Sequence, residues 1–243
     1  MTHLINQWQR PARVKVLQTS RSLINPLSNP TNGFDVHPNH ADPDHMHALI
    51  TAFELPHEPI FMQQVHGNQV IEYLEPPKAH FDVQADACFT RLPDVICAVM
   101  TADCLPVIMT DTEGSFVAAV HCGWRSLYAN ILSQTLEAIN PQHEVLVWFG
   151  PCILQDQYEV DESFVVNYLK RHPDANNAFT EIIDHNSLAS LYTMAEIQLQ
   201  NLGIKQIQQS MECTYLNKQY YSWRENSTPH RMGTMAWIKP CQP

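Results

Sequence analysis

The chain has 243 residues, 25 acidic against 14 basic side chains for a net charge of −11, with 44% apolar and 16% charged residues. That length fits one large domain or two small ones and is ample for a proper core, and the apolar content excludes a disordered acidic tail. The acidic balance, with no clustered lysines or arginines, argues against a nucleic-acid surface and against an anionic membrane.

Residues 1–60 read as largely irregular, with Pro and Asn dense over 25–43 and one β-like run at 14–19. From Ile60 onward the pattern sharpens. Short β-rich runs at 61–65, 69–73, 95–100, 107–110, 116–120 and 145–149 are bounded by Pro, Asp or Gly. Several are apolar throughout, the signature of strands covered on both faces. The spacing predicts helices over 125–139, 161–171 and 187–202, the last following the 3.6 period through Leu188, Leu191, Tyr192, Ala195, Leu199 and Leu202 before the stop at Gly203. A closing pair of strands is expected at 220–223 and 234–238. With no repeat, linker or low-complexity boundary, residues 1–243 read as one α+β domain with mixed sheets and helices outside.

The longest wholly apolar run, residues 95–100, is far short of the ~20 residues a membrane helix needs, so no membrane span is expected. The start, Met1-Thr2-His3-Leu4, carries no basic segment ahead of an apolar one, and a cytoplasmic location is expected. Seven scattered cysteines without a Cys-x-x-Cys pair are expected to be reduced.

Templates for dinucleotide turns, P-loops, nucleophile elbows, His-Glu-x-x-His helices and zinc deaminases are all absent. What remains is a set of polar residues at strand ends: His66 after the run 60–65, Cys104 after 95–100, and His121 after 116–120. Two imidazoles and a thiolate are donors zinc prefers, and three ligands leave a fourth position for water or substrate. Taken singly, each residue is better served by a structural reading, a buried small thiol or a hydrogen-bonded imidazole. A further reading needs two of them, Cys104 as nucleophile and His121 as its base. His37, His40, His45 and His47 lie in a Pro/Asn/Asp stretch and read as a solvated loop with adventitious metal affinity. Only His45-Met46-His47 has the His-x-His form of a blue-copper oxidase, so a multicopper centre is poorly supported. Arg21, Arg125, Arg224 and Arg231 fit surface salt bridges individually and a bidentate phosphate clamp as a group.

Several stretches carry a resemblance: Gln64-Val-His-Gly67, Asp86-Ala87, Thr101-Ala-Asp-Cys-Leu-Pro-Val107, Ala118-Ala-Val-His-Cys-Gly-Trp-Arg125, Gly150-Pro151, Tyr158-Glu-Val160, and Cys213-Thr-Tyr215 with Tyr221-Ser-Trp-Arg224. In this order, from about Pro59 to the C-terminus, they closely resemble the YfiH/laccase-domain family of purine nucleoside phosphorylases. The resemblance implies a four-layer αββα fold like that of a glutamine-deamidating toxin. It implies a zinc held by His66, Cys104 and His121, with Cys104, His121 and Arg21 serving catalysis and Arg125, Arg224 and Arg231 serving substrate. The implied activities are phosphate-dependent cleavage of adenosine, inosine, guanosine and methylthioadenosine, and deamination of adenosine. Older family descriptions imply instead a copper-dependent polyphenol oxidase.

The N-terminal segment, residues 1–58, departs from the family pattern. Thr19-Ser20-Arg21 is followed by Ser22-Leu23 where relatives carry a Gly-Gly pair, and the Asn-Leu-Gly motif is not recoverable around 32–35. The downstream Asn-Arg pair falls at His45-Met46, Ser126 stands where the Trp-Arg motif usually ends in Gly, and the late Gly-Arg pair is His230-Arg231. The ligand triplet is intact while the substrate-side loop diverges.

Overall fold

The computed structural model describes residues 2–22 and 33–240. Leu23, residues 25–32 of the Pro/Asn-rich stretch and Cys241 therefore lie outside the described residues, and the other six cysteines are free thiols. The chain opens with β1 (His3–Leu4), β2 (Val14–Gln18) and helix α1 (Pro43–Phe53), followed by β3 (Val70–Glu72), β4 (Ala87–Thr90) and β5 (Cys97–Thr101). Then come β6 (Leu105–Asp111), β7 (Val117–Cys122), the short α2 (Trp124–Tyr128), α3 (Ile131–Ile139) and β8 (Val145–Phe149). The last part holds β9 (Glu159–Asp161), α4 (Glu162–Arg171), β10 (Asn186–Leu188), α5 (Leu191–Asn201), β11 (Gln206–Gln209), α6 (Trp223–Asn226) and β12 (Met232–Ile238).

The strands form a four-stranded antiparallel sheet, order β1-β2-β12-β5, and a six-stranded mixed sheet, order β11-β8-β6-β7-β4-β3, with β9 and β10 paired apart from both. Within the larger sheet, β11–β8 and β3–β4 run parallel and the other pairs antiparallel.

Strand alternation divides the apolar residues into three cores. Val14, Val16, Cys97, Val99, Ala236 and Ile238 meet Cys88, Ile108, Val117, Ala119 and Trp148 between the two sheets. Their sequence neighbours Leu17, Ala98, Met100, Met235 and Trp237 face outward and are covered by Met46 and Leu49 of α1. On the far side of the larger sheet, Val107, Met109, Ala118, Val120, Val147 and Phe149 pack under α3, α4 and α5. Helix, sheet, sheet, helix is the expected four-layer arrangement, and burial on both faces explains why the central strands are apolar throughout.

Within the N-terminal segment, β1 and β2 supply half the smaller sheet and α1 its helical cover. The segment's expected irregularity is corrected by α1, which starts at the Asp42 cap, where the carboxylate accepts from Asp44 N at 2.9 Å, and has Pro in its first turn. His45 and His47 stand on this helix, not in a loop, and Met46 is buried under the smaller sheet. The helix expected over 125–139 is two helices, because Asn130 adopts φ 62°, left-handed, between α2 and α3. The helix expected from 187 begins at Leu191, capped by Ser190 accepting from Thr193 N, while Ser187 and Leu188 belong to β10. Of the strand expected at 220–223, Tyr220–Ser222 lead into α6 with Ser222 as the cap, and Trp223 is the first residue of that helix. Residues 61–65 make a single bridge, Gln63 to Gln84, because the edge of β5 is occupied otherwise. The Gln64 side chain, not a backbone, accepts from Met100 N at 2.7 Å and donates to Met100 O at 2.8 Å.

Candidate metal centre and its cavity

Strand register brings the sequence-distant residues together. β6 and β7 pair with Pro106 opposite His121 and Leu105 opposite Cys122, so Cys104 arrives beside Gly123 and the end of β7. β4 pairs with β7 through Ala87 opposite Val120, which sets Asp86 against His121. The His121 backbone N–H donates to Asp86 O at 2.7 Å, and its Nδ1 lies 2.8 Å from the Asp86 carboxylate. The carboxylate only accepts, so Nδ1 carries the proton and Nε2 is the nitrogen left for a metal.

The same carboxylate accepts from the backbone N–H groups of Val65 (3.2 Å), His66 (2.9 Å) and Gly67 (2.7 Å), wrapping the loop that carries His66 around it. His66 holds φ 59° there, in the left-handed region. Asp86 is wholly buried, which by itself raises its pKa, but the hydrogen bond and charge of His121 together with the backbone N–H groups of Gly67 and Val65 outweigh this and hold it below the usual carboxylate range.

The donor atoms of His66, Cys104 and His121 all lie within 4.8 Å of one another, with the Cys104 sulfur 3.9 Å from His66 Nε2. A tetrahedral ion with bonds of ~2.0–2.3 Å sets its ligands about 3.5 Å apart, so the triplet is close to a ligating geometry. A Cβ on Gly123 would come 3.0 Å from the His66 ring and 3.1 Å from the Cys104 sulfur, so any larger residue would push these groups apart by a few tenths of an ångström. Burial raises the Cys104 pKa, yet the His121 charge and the hydrogen bonds from both imidazoles bring it down to about 6. His121 is lowered by burial and raised more by Cys104 and Asp86, to about 9. Thiolate and imidazole donors fit a metal of the zinc type. The triplet is the sole such cluster among the described residues, so the N-terminal histidines form none.

Asp103 braces the other side. At φ 85° it precedes the ligand Cys104, and its carboxylate accepts from Thr214 Oγ1 (2.6 Å), Ser222 Oγ (3.0 Å) and Arg224 N (2.6 Å). It therefore ties the Cys104 turn to the start of α6.

The triplet opens into a cavity of about 850 Å³, within the ~300–1,000 Å³ range of small-molecule sites. Arg125, Arg224 and Arg231 all line it. Each guanidinium lies over an aromatic ring: Arg125 over Trp124 at 4.3 Å, Arg224 over Tyr158 at 5.3 Å and Arg231 over Trp223 at 5.7 Å. Arg224 spends two donors on Glu159 O and Arg231 donates to Thr228 O and His230 O, whereas Arg125 has no hydrogen-bond partner among the described residues. Arg21 stands apart. It packs on Tyr221 at 5.1 Å and lines a separate polar pocket with Ser222, Glu225 and His230. Asp86, Gln64, Trp124, Tyr158 and Trp223 had no role assigned from sequence, because their parts depend on which strands pair.

A family model described as multi-copper polyphenol oxidoreductase laccase matches residues 35–239. The chain belongs to this YfiH/laccase-domain family. Among characterised members, the Escherichia coli protein named purine nucleoside phosphorylase YfiH is 34% identical over 97% of this chain and 98% of its own length. A purine nucleoside phosphorylase of Pseudomonas aeruginosa is 31% identical with the same coverage. A crystal structure of a Neisseria meningitidis protein superposes with a TM-score of 0.85 at 29% identity, covering 98% of this chain and 99% of that one. The Bacillus licheniformis protein YfiH, 21% identical with a TM-score of 0.85, shares the fold. No helix among the described residues is long and apolar enough to cross a membrane.

Proposed function

We propose that this laccase-domain chain is a zinc-dependent purine nucleoside phosphorylase that also deaminates adenosine, with residues 1–243 working as one domain. The reading rests on one observation: a His-Cys-His metal-type donor set and three arginines share a single cavity in a chain whose net charge is −11. His66, Cys104 and His121 would hold zinc, which supplies Lewis acidity and lowers the pKa of water, the chemistry hydrolytic loss of ammonia from C6 requires.

In phosphorolysis, phosphate adds to the ribose C1′ as the C1′–N9 bond breaks, and the departing base takes a proton. The substrates that fit are adenosine, inosine, guanosine and methylthioadenosine, each with phosphate. Arg125, with its guanidinium uncommitted, is the bidentate clamp for that anion. Arg224 and Arg231, with donors already on carbonyls, add field at the site. Trp124, Tyr158 and Trp223 supply apolar faces that exclude water. Asp86 keeps the His121 proton on Nδ1 throughout. Arg21 would act on the cavity only through Tyr221.

Metal content of the purified protein together with hypoxanthine release from inosine and phosphate tests this. Zinc at one equivalent per chain and turnover lost in Cys104→Ala are expected; unchanged turnover in that variant overturns the reading. A copper polyphenol oxidase predicts bound copper and oxygen uptake with phenols, against which stands the single ligand cluster among the described residues. A metal-independent thiol hydrolase is favoured by the Asp86–His121–Cys104 relay, and predicts an activity that survives chelation and is killed by iodoacetamide.

A further inference from the structure

We infer that His37, Asn39 and Phe81 form the subsite that reads the N7 edge of a purine base. This deepens the nucleoside reading above and rests on it. All three line the same cavity as the metal-type triplet, yet none belongs to the strand ends that build it.

The loop that carries His37 is fixed by one carboxylate. Asp35 Oδ1 accepts from His37 N and from Arg231 N, both at 2.9 Å, and its Oδ2 accepts from His230 Nδ1 at 2.6 Å. Asp35 is buried, so the loop is anchored directly to the start of β12 and to the backbone of a cavity arginine. The tautomer of His37 is fixed as well. Asn39 N donates to His37 Nδ1 at 3.3 Å, so Nδ1 is the acceptor and the ring's proton sits on Nε2. Burial holds the ring below the ordinary imidazole range, against the pull of Asp35, so it is neutral at pH 7.

A neutral imidazole presenting a single N–H complements an unprotonated sp² nitrogen, and N7 is the one a purine nucleoside leaves free on its outer edge. Pyrimidine nucleosides lack the five-membered ring that carries N7, and the free N3 of cytidine lies on the opposite, base-pairing edge. The Asn39 side chain, two residues away, carries both a donor and an acceptor, so by rotating its amide it meets a 6-oxo or a 6-amino group with equal ease. The Phe81 ring, 5.7 Å from the His37 ring, gives an apolar face for the base. The arrangement selects purines over pyrimidines while accepting both 6-substituents.

Replacing N7 by C–H removes the acceptor and nothing else. Calorimetric binding of inosine and 7-deazainosine to the zinc-loaded protein should therefore give at least about a tenfold preference for inosine, falling below twofold in His37→Ala and returning in part in His37→Gln, which restores a donor. Asn39→Ala should keep the N7 preference and weaken both ligands alike. A wild-type protein that binds inosine but not more tightly than its 7-deaza analogue, or a preference unchanged in His37→Ala, overturns the subsite alone. A wild-type protein that binds neither inosine nor adenosine overturns the subsite and the nucleoside reading together.

Discussion

The floor and the wall of the cavity are built on opposite terms. The floor's ligands are set by strand register and braced by two buried carboxylates, Asp86 with four hydrogen bonds from His121 and the 65–67 backbone, and Asp103 with three. The arginine wall is looser at Arg125 and Arg224, exposed on aromatic faces in contacts worth ~0.5–1 kcal/mol each, and is braced only where buried Asp35 holds the backbone of half-buried Arg231. Metal ligation tolerates little displacement, whereas an anion or a base can be followed by a flexible guanidinium, so the costly bracing sits where geometry decides function.

If that division holds, changes to the floor should disturb metal binding in proportion to how directly they touch His66, Cys104 and His121, and changes to the wall should alter only ligand affinity. Asp86→Ala is the harshest test. It takes the acceptor from His121 Nδ1 and leaves three backbone N–H groups unpaired, each costing ~1–3 kcal/mol where it stays buried. Elemental analysis after dialysis should show metal affinity down ~10–100-fold, and the melting transition should drop with it. A variant that keeps both would mean the carboxylate is not what orients the ligands.

Gly123→Ala separates the two effects. Gly123 has φ −68°, so alanine adds no backbone strain, and the intrusion falls on the His66 ring and the Cys104 sulfur alone. Metal content should collapse while the melting temperature of the metal-free protein changes little. Asp103→Ala should be milder at the metal: it frees the Thr214 and Ser222 hydroxyls and the Arg224 backbone, so the expected result is a several-fold rise in the KM for phosphate with zinc retained. Steady-state kinetics on metal-loaded protein measures it.

The same division explains what could be read from the chain alone. β8 matches its expected bounds, and the runs at 95–100, 107–110 and 116–120 each end within one or two residues of the strand observed, because two covered faces leave an unbroken apolar string. β11, Gln206–Gln209, lies at a sheet edge and is polar, so no such string exists. In α1 the apolar spacing of Met46, Leu49 and Phe53 was hidden among histidines and prolines. The three clustered donor residues, His66, Cys104 and His121, were legible as strand-end residues and as motif positions, but Asp86 acquires its place beside His121 only when β4 pairs with β7. His37 looked like solvated loop because nothing local tells that Asp35 will bury itself against His230 and Arg231, about two hundred residues along.

Arg125→Ala should give the smallest effect, and it probes the wall in isolation. The guanidinium is exposed, its sole contact with a ring is the Trp124 face, and no hydrogen bond within the described residues is lost on truncation. Stability should fall by no more than ~1 kcal/mol and zinc content should not change. Losing a bidentate clamp on a dianion, however, removes two charge-assisted hydrogen bonds, so the KM for phosphate should rise about tenfold or more. The KM for inosine should stay within about twofold, since the base and the anion are held by different residues. Arg125→Lys keeps the charge but not the fork, and should recover only part of the phosphate affinity. Equal losses for inosine and phosphate would instead place Arg125 among the contacts to the base, and the wall would have to be redrawn with the nucleoside lying across it.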